Sequence, residues 1–164
     1  MTTENLPPDR WRAAEVLAVL VRCILGALFI YMGLNKALHP VEFLKLVRQY
    51  DVVPQPLLLN LIASTLPWFE VLCGIWLLLG LAVRGTAVVL VLMLIPFTIL
   101  VFLRAWSMHR TGGLPFCAIK FDCGCGAGEV LICRKLAENI FLIALAAWLT
   151  CSRGLRLSLR HSFF

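Results

Sequence analysis

Cys123 and Cys125 stand one residue apart, with glycines at 124 and 126, in the stretch 117–129 that also holds Cys117, with Cys133 just beyond. Two thiols at this spacing can close a small strained disulfide ring, and glycine permits the backbone angles the ring needs. Strained, exposed disulfides have high potentials and exchange readily. Lys120 and Arg134 favour the thiolate and Asp122 opposes it. Thiol–disulfide exchange is therefore one chemistry for the loop, with Cys117 or Cys133 as a resolving thiol. A soft-metal site for copper or zinc is a second, since Cys117, Cys123, Cys125, Cys133 and His109 offer sulfur and imidazole ligands. The Cys-x-Cys spacing is tighter than the usual zinc pattern. A structural disulfide that pins the loop is the third.

Glu70 is the other chemical signal. It is a single carboxylate near the middle of a long apolar segment, and an ionisable group at such a depth is costly enough to mark a functional position. Lys36, Arg22 and Arg104 are its candidate partners. It is read either as half of a structural ion pair or as a proton donor and acceptor coupled to redox chemistry at the loop. Asn35, Lys36, Arg104, Glu138 and Asn139 fall at the loop-side ends of apolar segments. With Glu70 they can form one polar pocket beneath the cysteines, although polar residues at helix ends are commonly just interfacial.

The elements that must position these groups are apolar. Hydrophobic residues make up 61% of the 164 and charged residues 15%, and mean hydropathy is +0.91. Ordinary soluble domains carry about 25% charge, and a chain this small could not hide so much apolar surface in one core. The composition specifies an all-α membrane protein in contact with the lipid bilayer. Four spans are expected, at about 13–38, 57–83, 85–103 and 136–151, since about 20 apolar residues cross the hydrocarbon core. Together they form a four-helix membrane domain over 13–152, with a polar lead-in at 1–12 and a basic tail at 153–164. No removable signal peptide is read at the start.

Between spans one and two, 41–50 places apolar residues on one helical face and charges on the other. It is too short to cross and is read as an interfacial helix. Between spans three and four lies the Cys-rich loop, 104–135. Pro67 and Pro96 fall inside spans, where membrane helices tolerate them.

Seven cysteines cannot all pair internally. Cys23, Cys73 and Cys151 fall in apolar runs and read as small buried hydrophobes. The net charge of +6 comes from short clusters beside apolar runs, as membrane anchors do, and no basic stripe with interleaved aromatics points to nucleic acid. No phosphate-binding loop, dinucleotide fingerprint, serine nucleophile elbow or HExxH motif is present, and no residue pair is well placed for haem.

The order Arg22, Gly26, Gly33-Leu34-Asn35-Lys36, His39-Pro40, then Leu66-Pro67-Trp68-Phe69-Glu70, Gly74, Gly80 and Arg84, then Asp122-Cys123-Gly124-Cys125-Gly126 and Asn139, resembles the MauE/DoxX-like membrane proteins, and is most similar to the methylamine-utilisation MauE proteins. The resemblance covers about 15–150. It implies a four-helix inner-membrane protein of bacteria that assists maturation of a periplasmic, disulfide-rich enzyme beside a thioredoxin-like, MauD-like partner. DoxX-like relatives imply a link to quinone, for which no feature of this sequence shows a site. Carried over, Cys123, Cys125 and Glu70 are the catalytic positions, and Lys36 and Arg84 are framework polar residues. MauE-like proteins often read Cys-x-Cys-Phe-Gly, whereas this chain has Gly126-Ala127 after Cys125, so the resemblance carries no particular substrate.

Four spans place both termini on one side and the cysteine loop on the other. The termini side then carries seven Lys and Arg and the loop side eight, so charge bias does not orient the chain. An oxidising compartment suits disulfide chemistry. That places the loop in the periplasm and the termini in the cytoplasm.

Overall fold

The computed structural model describes residues 8–50, 55–112, 115–122 and 128–152, with side chains from Glu15 onward. Its described residues form five helices and one small hairpin: α1 (Pro8–Leu38), α2 (Pro40–Gln49), α3 (Pro56–Leu79), α4 (Val83–Gly112), β1 (Lys120–Asp122), β2 (Glu129–Leu131) and α5 (Ile132–Cys151). Among the described residues, three helical stretches are long and apolar enough to cross a membrane, Glu15–Leu38, Pro56–Leu79 and Val83–Gly112. α5 has 20 residues and carries Arg134, Lys135 and Glu138 in its first turns.

The helices pack chiefly as two pairs, α1 with α3 and α4 with α5. Small residues make the first pair close. Gly26 lies against Gly74, and Gly33 lies against Pro67 and Val71, so the two helices run antiparallel with their backbones in near contact. Leu25, Phe29, Leu77, Ala87, Leu90, Ala146 and Leu149 fill the core between the pairs. The opposite faces, including Leu20 and Ile24 on α1 and Trp68, Leu72 and Trp76 on α3, are exposed, as lipid-facing surfaces are.

Several boundaries differ from the sequence expectation, two of them for a clear local reason. α3 stops at Leu79 instead of continuing to 83, because Gly80 takes a left-handed cap with φ 73°. Leu81 N–H then bonds back to Trp76 O at 2.9 Å, closing the helix end. α4 runs on through Gly112, nine residues past the expected end at 103. Its buried stripe continues through Val101 and Ala105, so Arg104 ends the apolar run and not the helix.

The connection expected to be a loop over 104–135 is correspondingly shorter, and part of it is strand. β1 and β2 pair antiparallel, Lys120 with Leu131, Phe121 with Val130 and Asp122 with Glu129. Ile119 and Ile132 are buried with Val101 and Ala105, and Phe116, Phe121 and Val130 pack on them. This second core seats the hairpin on the loop-side ends of α4 and α5. A disulfide between Cys117 and Cys133, with Cα atoms 5.1 Å apart, ties the 3₁₀ turn Phe116–Ala118 to the start of α5.

α2 matches the expected amphipathic helix. Pro40 starts it, Glu42 is in the first turn and Arg48 in the last, in accord with the helix dipole. Phe43 is its buried anchor.

Candidate functional site

Lys36 and Glu70 meet inside the bundle. Lys36 Nζ donates to both carboxylate oxygens, at 2.7 and 2.8 Å, and the two side chains are 8% and 9% exposed. The geometry follows from the helix pairing. Side chains lean toward the N-terminus of their own helix. In the antiparallel α1–α3 pair, Lys36 and Glu70 therefore lean toward each other, and they converge near Gly33, which contributes no side chain. Lys36 Nζ also lies 5.4 Å from the ring centre of Phe43 and 6.0 Å from that of Phe97, close enough for cation–π attraction. Of the three cations considered for Glu70, this is the one that reaches it. Arg22 is buried midway along α1, against Gly80. Arg104 is exposed on α4.

A cavity of about 390 Å³ lies beside this pair, walled by residues of all five helices. Its wall is apolar, with Phe29, Met32, Phe43, Phe97, Leu100 and Leu142 prominent; the polar groups reaching it are Lys36, Tyr50, Glu70, Lys135 and Asn139. Asn139 is 1% exposed, and its Nδ2 has no hydrogen-bond partner. Lys135 is 5% exposed, with Glu138 Oε2 at 3.9 Å; Glu138 is held at 2.9 Å by Arg134 Nε. Sequence reading treated Lys135 as a loop residue. The signal that would have found it is its spacing: Ile132, Lys135, Asn139, Ala146 and Leu149 form one buried stripe of α5.

A second, polar cleft of about 230 Å³ is lined by Asn35, Lys36, His39, Glu42, Phe43, Leu46, Asp122 and Gly128. Asp122 ends β1, and Gly128, with φ 69°, precedes β2. Lys36 and Phe43 line both the cleft and the cavity, so the buried ion pair stands between a polar space at the foot of the hairpin and an apolar space inside the bundle.

Cys123 and Cys125 lie outside the described residues. Cys117 and Cys133, named as resolving thiols and as metal ligands, are bonded to each other, so in this form neither sulfur is a thiolate. Among the described residues, no group of three or more His, Cys, Asp and Glu side chains could hold a metal ion. His109 packs in an aromatic cluster, with ring centres 6.0 Å from Trp106 and 6.1 Å from Phe116. Arg84 is at the opposite end of the molecule from the hairpin. Its Nη2 donates to Ser152 O at 3.0 Å, capping the C-terminal end of α5. The structure thus brings Lys36, Glu70 and Asn139 together with Lys135, and leaves Arg84 and Arg104 apart from them.

No curated protein and no solved structure matches the chain. A family profile, that of methylamine utilisation protein MauE, matches residues 14–152. With its long apolar helices and a match over most of its length, this chain is a membrane protein that belongs to the MauE family.

Proposed function

We propose that this protein carries out thiol–disulfide exchange at the membrane surface, with Cys123 and Cys125 as the exchanging pair, in support of the maturation of a disulfide-rich periplasmic enzyme. The observation that carries the reading is the surroundings of the residues that flank these cysteines in the chain. Asp122 and Gly128 line a polar cleft shared with buried Lys36, and Cys117 and Cys133 are joined by a disulfide. Ionisable groups near an exchanging thiol pair are what proton-coupled exchange draws on. In this reading client dithiol passes two electrons to the Cys123–Cys125 disulfide. The client's S–S bond forms as that of the loop breaks, and two protons move with the electrons. Glu70, held by Lys36, is the proton-exchanging group in this reading.

The matching family is that of methylamine utilisation protein MauE, which supports a role in methylamine utilisation. A methylamine-dehydrogenase-type client and a thioredoxin-like, MauD-like partner fit that setting. With α5 as a fourth span, the chain crosses the bacterial inner membrane four times, with the loop in the periplasm and both termini in the cytoplasm.

The test is a thiol count by alkylation and mass spectrometry, with and without reductant, on the same sample as a metal analysis. Exchange predicts a reducible Cys123–Cys125 pair and no bound metal, and client oxidation that is lost in Cys123→Ser and Cys125→Ser. Cysteines that stay reduced and carry stoichiometric copper or zinc would overturn it in favour of metal binding. Unchanged client maturation in the serine variants would leave the protein a scaffold.

A further inference from the structure

We propose that the cavity between the α1–α3 and α4–α5 pairs binds a single-chain fatty acid, with Lys135 and Asn139 holding its carboxylate and the apolar wall holding its chain. The site is argued from the cavity alone and does not rest on the exchange reading. Its volume, about 390 Å³, is in the range of small-ligand pockets, and its mix of apolar wall and few convergent polar groups is what such pockets show. Polarity is graded along the bundle. Lys36 is in the last turn of α1 and Lys135 is at the start of α5, both toward the hairpin. On the same two helices Phe29 and Leu142 line the cavity about two turns deeper. The ligand that fits has its polar head at the hairpin end and its hydrocarbon toward the middle of the bundle.

Charge decides the head group. Lys36 and Glu70 cancel, since Lys36 Nζ donates to both carboxylate oxygens. Lys135 is left over. It is buried, and the acid beside it, Glu138 Oε2, is 3.9 Å away, beyond hydrogen-bond length. Glu138 is itself exposed and bonded through Oε1 to Arg134 Nε at 2.9 Å. A buried ammonium without a close acid is costly, so the cavity carries an excess positive charge beside its apolar wall. Asn139 follows Lys135 by one turn on the same helix face. It is 1% exposed, and its Nδ2 has no partner, which is a second cost. One carboxylate answers both: one oxygen accepts from Lys135 Nζ and the other from Asn139 Nδ2, and charge-assisted bonds of this kind are the strong ones. A neutral ester would satisfy the amide and leave the charge. A phospholipid would bring a second chain and a bulky head group into a space walled by all five helices.

Such a ligand arrives through the bilayer. Leu46, Val47 and Tyr50 of α2 form part of the cavity wall, so on that side the cavity is closed by the short amphipathic helix and not by a span. Helices of that kind lie at the boundary between head groups and acyl chains, the depth at which a fatty acid in the same leaflet carries its carboxylate. The tail gains little on leaving lipid for an equally apolar cavity. Selectivity therefore resides in the head group, and that is what the test must vary.

The experiment is photolabelling of the full chain in lipid nanodiscs with a diazirine analogue of dodecanoate, mapped by peptide mass spectrometry. Label is expected on α2, α4 and α5 residues of the cavity wall, competed by excess dodecanoate and not by methyl dodecanoate or added phosphatidylglycerol. Losing a hydrogen bond to a charged group costs about tenfold in affinity, so Lys135→Met and Asn139→Leu should each lower the competed label about tenfold, and Lys135→Arg should retain part of it. Leu100→Trp, which fills the cavity from α4, should abolish the competed label with both donors in place, so the site stays testable even if the Lys135 and Asn139 variants fold poorly. Label confined to lipid-facing residues such as Ile24 and Trp76, or unchanged in Leu100→Trp, would overturn the site. Equal competition by methyl dodecanoate would overturn the carboxylate–Lys135 contact. Equal competition by phosphatidylglycerol would overturn the free fatty acid in favour of a phospholipid.

Discussion

Gly26 and Gly74 face each other so closely that a Cβ on Gly26 would lie 2.8 Å from Gly74 O, and one on Gly74 would lie 2.6 Å from Gly26 O. The obstacle in each case is backbone, which cannot rotate away. Gly26→Ala or Gly74→Ala must therefore push α1 and α3 apart. Overpacking of this kind costs about 1–3 kcal/mol. A fall in melting temperature of several degrees in detergent is expected for either variant. Gly85→Ala is the control, because nothing lies within 4 Å of its Cβ position. It should leave stability unchanged or raise it by about 0.5–1 kcal/mol, the usual gain from replacing a helical glycine. Equal behaviour of all three variants would contradict the close α1–α3 approach.

The same approach sets the register that brings Lys36 to Glu70, so the pair can be tested as a unit. Lys36→Met strands a buried carboxylate, and breaking a buried pair from one side costs about 3–5 kcal/mol. Lys36→Met/Glu70→Leu removes both charges and should recover most of that loss, giving strong non-additivity in a double-mutant cycle. Client oxidation should stay low in the double variant despite its recovered stability, because the Lys36–Glu70 pair assigned to proton exchange is gone. Full activity in a stable double variant would reduce the pair to a structural role.

Much of this arrangement was legible in the sequence and the rest was not, for identifiable reasons. Long apolar runs announced the helices, and a lone mid-span carboxylate announced Glu70. Its partner was not readable, since Lys36, Arg22 and Arg104 were equally available until the glycine contacts fixed which helix faces meet. The bounds of α4 were misplaced because hydropathy stops at Arg104 while the buried stripe runs on to Ala105. Lys135 was lost for a related reason: its charge argued for a loop, and only its spacing to Asn139 on α5 argued for the interior. The hairpin was missed because strands of three residues beside glycines are too short for an alternating pattern. They are held instead by Ile119 and Ile132 beneath them and by the disulfide.

That disulfide should act locally. Cys117–Cys133 closes a segment with a sequence separation of 16, and a loop of that size stabilises by about 3 kcal/mol in the chain-entropy account. The segment it closes is the hairpin, while the helix pairs pack independently of it. Cys117→Ser/Cys133→Ser should therefore open 115–131 to limited proteolysis with little change in the melting of the helices. Peptide mapping without reductant should recover the 117–133 link in the wild type. A variant as resistant to protease as the wild type would show that packing alone seats the hairpin.

The α3–α4 turn offers two substitutions of opposite sign within three residues. Gly80 has φ 73° and Ala82 has φ 43°, both in the left-handed region, which costs a residue with a Cβ about 1–2 kcal/mol. Ala82 already bears that strain, and being exposed it has little packing to lose, so Ala82→Gly should raise stability by about 1 kcal/mol. Gly80→Ala should do the reverse and by more. It adds the same backbone strain, and its Cβ would also lie 2.6 Å from Arg22 Nη1. Arg22 is 7% exposed and its guanidinium sits at the negative end of the α3 dipole, so it can move aside only by giving up that position inside the bundle. Replacing Arg22 with the shorter Lys in the Gly80→Ala background should then recover part of the lost stability, leaving the backbone component behind. Thermal melts of the two single variants and the Arg22→Lys/Gly80→Ala pair decide the point. If the pair is no more stable than Gly80→Ala alone, the clash with Arg22 contributes nothing and backbone strain accounts for the whole effect.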